Sequence, residues 1–213
     1  MYSVPGGWNG WCTLSDYYDK FSAGDERRGI YYDYPADTTS NRKKNYHRQN
    51  VGFFAGQQYN WTTNKPLMAR NPSTAPLSFT PEVTIRTSGA TLETAGIRPM
   101  KYAFDYAVTG QRNNDWVVFR YADVLLMQAE AILRGGTGSQ AEALSLVNSI
   151  RTNRNVSAFS SLTLDNLLDE RARELYWEGW RRQDLIRFGK FLEPWQEKEV
   201  SNDPKVLVFA IPS

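Results

Sequence analysis

Cysteine is almost absent from this chain, with Cys12 the single example among 213 residues. No internal disulfide can form, so a disulfide-stapled fold is excluded. Histidine is equally scarce, since His47 is the only one. A lone histidine without cysteine or histidine neighbours does not make a zinc site. It also leaves no Ser–His–Asp set to assemble, because nothing marks a nucleophile for it. Cys12 itself reads as a buried or incidental thiol. No apolar run approaches the ~20 residues that span a bilayer as a helix. The start, Met1-Tyr2-Ser3, has no basic and apolar leader. Charge of one sign is lacking too. The net charge is +2, with 11 basic against 8 acidic residues in 1–100 and 14 against 15 in 101–213. That balance supplies no field for nucleic acid.

What is present divides the chain. Residues 1–61 hold 14 aromatic side chains interleaved with Gly, Asn, Asp and Ser. Helical periodicity is missing there, apart from one short helix expected at 13–22 with Thr13 as its cap. The stretch Gly6-Gly7-Trp8-Asn9-Gly10-Trp11-Cys12 sets two indoles three residues apart. Pro66, Pro72, Pro76, Pro81 and Pro99 then punctuate the next segment and forbid a helix. Within it Glu82–Thr87 alternates and predicts a short strand.

From residue 116 the pattern becomes helical. Tyr121, Val124, Leu125, Ala129 and Ile132 form a stripe over Val118–Arg134. Gly135-Gly136-Thr137-Gly138-Ser139 ends that helix, and Ser139 with Glu142 predicts a capped start for the next. The second helix, Gln140–Arg154, aligns Ala143, Leu144, Val147 and Ile150. The pair is a helical hairpin of the tetratricopeptide kind, although no second copy recurs at that period. A third helix is expected over 164–178, with Leu164, Leu167, Leu168, Leu175 and Tyr176 inward. A fourth is expected over 180–190, and the apolar run Lys205–Pro212 reads as extended.

Several stretches invite chemistry. Glu170, Glu174 and Glu178 share one helix face, and paired carboxylates are what a glycosidase uses. Glycosidase carboxylates come from separate elements around a cleft, however. Here Asp169 and Glu170 have Arg173 at helical spacing, and Glu178 has Arg181 and Arg182. An ion network is therefore the preferred reading over catalysis. The Gly135–Ser139 run lacks the strand before and the Lys-Ser or Lys-Thr after that a phosphate loop needs. The basic run Asn41–Arg48 is short and reads as a solvated loop. No positive signal for an enzyme is left. The aromatic-rich first third stands out instead. Flat rings stack on the apolar faces of sugars, and Asn, Asp and Arg bind the hydroxyls. For any one ring, packing is the better reading. For the cluster, a ligand surface is expected.

The helical half also carries a resemblance. Arg120-Tyr121-Ala122-Asp123-Val124-Leu125-Leu126-Met127-Gln128-Ala129-Glu130-Ala131 resembles the "RYADVLLMxAEA" helix of the SusD/RagB family. Val147-Asn148-Ser149-Ile150-Arg151 with Asn153-Arg154 is similar to a second family motif. Asp169–Leu175 with Glu178–Gly189 is similar to a third. Asn9–Thr13, Asp25-Glu26-Arg27, Arg98–Tyr102 and Phe209–Pro212 fit as well. The resemblance implies an outer-membrane, cell-surface lipoprotein that binds glycans or other nutrients without cleaving them. It implies a lid role on a SusC-like TonB-dependent transporter and a tetratricopeptide-like scaffold with an irregular ligand side. It implies structural roles for Glu170, Arg171, Glu174, Arg181 and Asp184.

The fold expected is mainly α, a tetratricopeptide-like scaffold with long irregular aromatic-rich loops and little β. The chain is expected to be one domain, the C-terminal portion of a longer protein. Its parts would be 1–115 on the ligand side, 116–190 as scaffold and 191–213 as an extended tail. Trp8, Trp11, Tyr31, Tyr32 and Trp61 are expected to stack on sugar, and Asn9, Asp33 and Arg42 to contact hydroxyls. No cofactor, metal or nucleic acid is expected. A protein-interaction scaffold is the alternative function.

Overall fold

A computed structural model describes residues 11–33, 48–60, 63, 65–70, 72–83, 89, 92–101 and 115–209, without the side chains of 30–33 and 48–51. These residues are mainly helical, with short strands. The chain divides into two compact units, Met1–Trp116 and Val117–Ser213.

In the first unit the segment read as irregular contains a sheet. Strands β1 (Gly29–Asp33), β2 (Arg48–Phe54) and β5 (Arg98–Met100) form an antiparallel sheet in the order β1-β2-β5. β3 (Gly56–Gln57) and β4 (Ser78–Phe79) form a second pair. Phe53 and Phe54 are both buried on β2, where Phe53 packs edge-on against Phe21 at 5.0 Å and Tyr18 at 5.5 Å. Several of the early rings are thus core. The expected helix at 13–22 is only one turn, α1 (Ser15–Tyr18), and Leu14 caps it without a side-chain bond. Thr13 is drawn away because its N–H donates to the Ile97 carbonyl at 2.8 Å. Gly96, at φ +81°, allows this approach: a Cβ there would lie 2.7 Å from Cys12. The expected strand at 82–87 falls mostly outside the described residues, and Glu82 and Val83 are not in a strand.

The second unit is built on α2 (Tyr121–Leu133), α3 (Gln140–Asn153), α4 (Leu164–Glu174) and α5 (Arg181–Arg187). Ser139 caps α3 by accepting from the Glu142 N–H at 3.1 Å. Thr163 and Asn166 form a full capping box on α4. Gly138 makes the α2–α3 turn possible, since at φ +135° a Cβ would collide with Ile132 at 2.7 Å. The core is Leu126, Ala129, Ile132, Ala143, Val147, Ile150, Leu162, Leu167 and Leu175.

Two expectations need correcting. The inward stripe of α2 runs through Asp123, Leu126, Ala129, Glu130 and Ile132, while Tyr121 is 75% and Val124 47% exposed. Counting only apolar residues rotated the face, because the buried acids are part of it. In the tail, Pro204–Leu207 is a 3-10 turn rather than extended chain. Pro204 presets its first position, and Asp203 accepts from the Lys205 N–H at 3.0 Å.

Candidate functional site

The expected ligand residues lie in the first unit, and the structure reaches some of them. Trp8, Asn9, Arg42 and Trp61 lie outside the described residues. Trp11 is 60% exposed, although the next residues are tied down by the Thr13–Ile97 bond. Trp11 thus stands, largely exposed, two residues before backbone that pairs with Ile97. Tyr31, Tyr32 and Asp33 sit on β1, opposite Asn50, Gln49 and Arg48 of β2. The three were expected in an irregular, loop-rich stretch, and they lie on a strand. The consecutive β-formers Ile30, Tyr31 and Tyr32 were the signal that would have found this strand.

Buried arginines brace the same unit. Arg27 donates to Asp25 at 2.8 Å, with both side chains almost fully buried. Arg98 donates to the carbonyls of Ala95 at 2.6 Å, Gly96 at 2.5 Å and Glu93 at 3.1 Å, and its guanidinium lies over the Phe79 ring. These are two of the family-like motifs noted in the sequence, and both work as braces for irregular backbone.

The three glutamates of α4 and its following turn are buried and paired. Glu170 accepts from Arg151 at 2.6 Å and Arg173 at 2.7 Å. Glu174 accepts from Arg120 and Arg154, each at 2.7 Å. Burial alone would push the Glu174 carboxyl up, but hydrogen bonds from Arg154 and Arg120 outweigh it and hold it at about 2. Glu178 takes both its oxygens to Arg120 Nε at 3.0 Å, a partner 58 residues away. Helical spacing had pointed instead to Arg181 and Arg182. Arg181 reaches the Leu168 carbonyl, and Arg182 reaches the Val206 carbonyl and stacks on Phe209. Sequence spacing sees only partners on the same helix, so Arg120 was missed.

A second chain of ions crosses the core. Arg171 is 1% exposed and bridges Asp123 and Asp184, both at 2.9 Å. Asp184 also accepts from Arg187 at 2.8 Å, and Arg187 continues to Glu130 at 2.9 Å. Burial would push Glu130 up, but Arg187 and Arg134 hold it below the usual carboxylate range. Arg151 meanwhile lies 3.6 Å from the Phe159 ring centroid and donates to the Ser157 carbonyl. Asn148 clasps the same loop by both donating to and accepting from the Phe159 backbone. Such an array makes structure: each carboxylate is neutralised by arginine and removed from water. Among the described residues no group of His, Cys, Asp and Glu can hold a metal ion. No described helix is long and apolar enough to cross a membrane.

Comparison with known proteins bears on these motifs. The SusD family profile matches residues 3–205. The starch-binding protein SusD of Bacteroides thetaiotaomicron is 41% identical over 80 residues, covering 37% of this chain and 14% of that protein. A SusD-like protein of Formosa agariphila is 39% identical over 90 residues, covering 36% of this chain and 18% of that protein. The solved surface glycan-binding protein A from Bacteroides uniformis aligns with 92% of this chain and 35% of its own, at TM-score 0.48 and 24% identity. The matched stretches thus span less than a fifth of either curated relative.

Proposed function

The chain belongs to the SusD family, and from that premise we propose that it binds glycan at the cell surface without cleaving it. It would act in an outer-membrane uptake system as the partner of a SusC-like TonB-dependent transporter. The observation that carries the reading is the 60% exposed indole of Trp11, two residues before the backbone bond of Thr13 to Ile97. An exposed ring is a platform for the apolar face of a sugar. The relative from Bacteroides thetaiotaomicron is a starch-binding protein by name, so starch heads the ligands to try. Trp8, Asn9, Tyr31, Tyr32, Asp33, Arg42 and Trp61 complete the proposed surface. The pairing of Glu170, Glu174 and Glu178 with arginines supports a non-catalytic role. A general acid in a glycosidase needs a raised pKa, whereas Glu174 is held at about 2.

Affinity electrophoresis through gels containing starch and other polysaccharides tests this. Retardation of the wild type is expected in at least one gel, weakened in Trp11→Ala. Equal retardation of both removes Trp11 from the site. Release of reducing sugar that vanishes in Glu170→Gln or Glu174→Gln would overturn the non-catalytic reading. A protein-interaction scaffold is the second reading, favoured by the exposed apolar side of α2 at Tyr121, Val124 and Met127. Recovery of the transporter from membranes, with no retardation by any glycan, would favour it.

A further inference from the structure

Among the described residues, the arginines of the second unit meet carboxylates, from Arg120 to Arg187, with one exception. Arg182 pairs with none. Its partners are the Val206 carbonyl, to which it donates at 2.8 Å, and two rings. The guanidinium carbon lies 4.1 Å from the Phe209 centroid and 5.1 Å from that of Phe191. Lys198 follows the same pattern. Its ammonium lies 4.2 Å from the Trp195 centroid and 6.0 Å from that of Phe191, and it donates to the Glu193 and Glu199 carbonyls. Phe191 and Trp195 meet edge-on at 5.9 Å. Direct contacts thus join Phe209, Arg182, Phe191, Trp195 and Lys198 into one group.

Stacking decides what this arginine can still do. Rings cover the faces of a planar guanidinium, whereas its N–H donors point outward in the plane. One of them holds Val206, and the others have no acceptor among the described residues. Such a fork matches a carboxylate in shape and charge and binds it through two parallel bonds. Contact with two rings also limits the rotamer freedom that binding would have to freeze. Glu197 and Glu199 flank Lys198 in sequence, yet neither forms an ion pair with either cation among the described residues. Lys198 takes the Glu199 backbone instead. The Phe209 ring, 79% exposed, stands against the guanidinium. A carboxylate attached to a flat apolar ring would meet both at once. A uronic acid is such a group, since its carboxylate sits on a pyranose whose C–H face suits an aromatic ring.

We infer that Arg182 and Phe209 form a subsite for the uronate residues of an acidic glycan. Arg182 holds the carboxylate, Phe209 takes the face of the sugar, and Lys198 adds a second positive charge. This rests on the glycan-binding reading above. It adds to that reading a preference for charge that the exposed indole of Trp11 does not supply.

The test is isothermal titration calorimetry of the 213-residue chain with polygalacturonate, its methyl ester, starch and polyglutamate. It is run at about 0.15 M salt, where diffuse charge attraction is screened. Wild type is compared with Arg182→Lys and Phe209→Leu, and the melting temperature of each is measured. Polygalacturonate is expected to bind, and its methyl ester to bind about tenfold more weakly, because esterification removes the charge. Arg182→Lys keeps the charge but loses the fork, and is expected to weaken binding of polygalacturonate by about tenfold. Phe209→Leu keeps the bulk but removes the flat ring, and is expected to weaken it as well. Equal binding of acid and ester, or wild-type affinity in Arg182→Lys, overturns the inference. So does polyglutamate bound as tightly as polygalacturonate, which would make the partner an acidic polypeptide. Starch bound without polygalacturonate overturns it and leaves the glycan-binding reading standing. No binding of any glycan removes both. If Arg182→Lys lowers melting temperature and affinity together, Phe209→Leu decides, and unchanged affinity in that variant overturns the inference.

Discussion

Arg171 is the side chain on which the helical unit turns. It is among the largest fully buried residues and joins α2 to α5 through Asp123 and Asp184. Taking one partner from a buried ionic group leaves the rest uncompensated. Arg171→Met is therefore expected to lower unfolding free energy by about 3–5 kcal/mol, measured by chemical denaturation, because buried Asp123 loses its counter-ion and Asp184 keeps only Arg187. A change under 1 kcal/mol would mean that water or other donors replace it. Asp123 is already close to that limit, since its Oδ2 has no hydrogen-bond partner among the described residues. Arg171 and Asp184 were legible in the sequence as structural residues through their motif. Their partners were not, because an arginine's reach across tertiary space leaves no trace in local spacing.

At the scale of elements, α2 shows how far a pattern can be read. Its ends were close, expected at Val118–Arg134 and found at Tyr121–Leu133. Its buried face was misplaced, because Asp123 and Glu130 pack inward with the apolar residues. The energetic consequence is specific. Leu126 has no exposed surface and belongs to the central cluster, so Leu126→Ala is expected to cost about 2–5 kcal/mol. Val124→Ala, on the exposed side, is expected to cost under about 1 kcal/mol. Paired thermal or urea melts separate the two, and equal losses would place the face as the apolar stripe had it. Helix α3 was read more closely, because Ser139 marks its start by a side-chain cap that acts within three residues, whereas α4 starts at Leu164 as expected but ends at Glu174, four residues short of the expected 178. The strands were missed for the converse reason. β1 and β2 are joined by no two-residue turn signal, and their pairing links positions such as Ile30 and Val51 that are distant in sequence.

For the whole molecule, buried arginine–carboxylate pairs recur in both units, and they make stability depend on pH. Glu174 is held at about 2 against an ordinary value near 4.5. A lowered folded-state pKa gives stability that is present above the unfolded value and lost as pH falls toward the folded one. The melting temperature is therefore expected to drop as pH is lowered from about 4.5 towards 2. Glu174→Gln is expected to flatten that slope and to lower the melting temperature at neutral pH, where Arg120 and Arg154 lose their shared carboxylate. A variant with the same slope as wild type would show that other carboxylates carry the acid sensitivity.

The amino-acid sequence by itself determined the class of the protein: helical hairpin, Gly-rich turn, capped starts, family motifs and an aromatic-rich part without helical period. Those features are written in neighbours a few residues apart, where backbone preference and side-chain spacing act directly. Only the tertiary structure decided which arginine meets which carboxylate and which side of α2 is core. It also decided that Tyr31, Tyr32 and Asp33 lie on a strand. Each of these depends on contacts between residues far apart in the chain, whose free energy outweighs local preference once the units are packed.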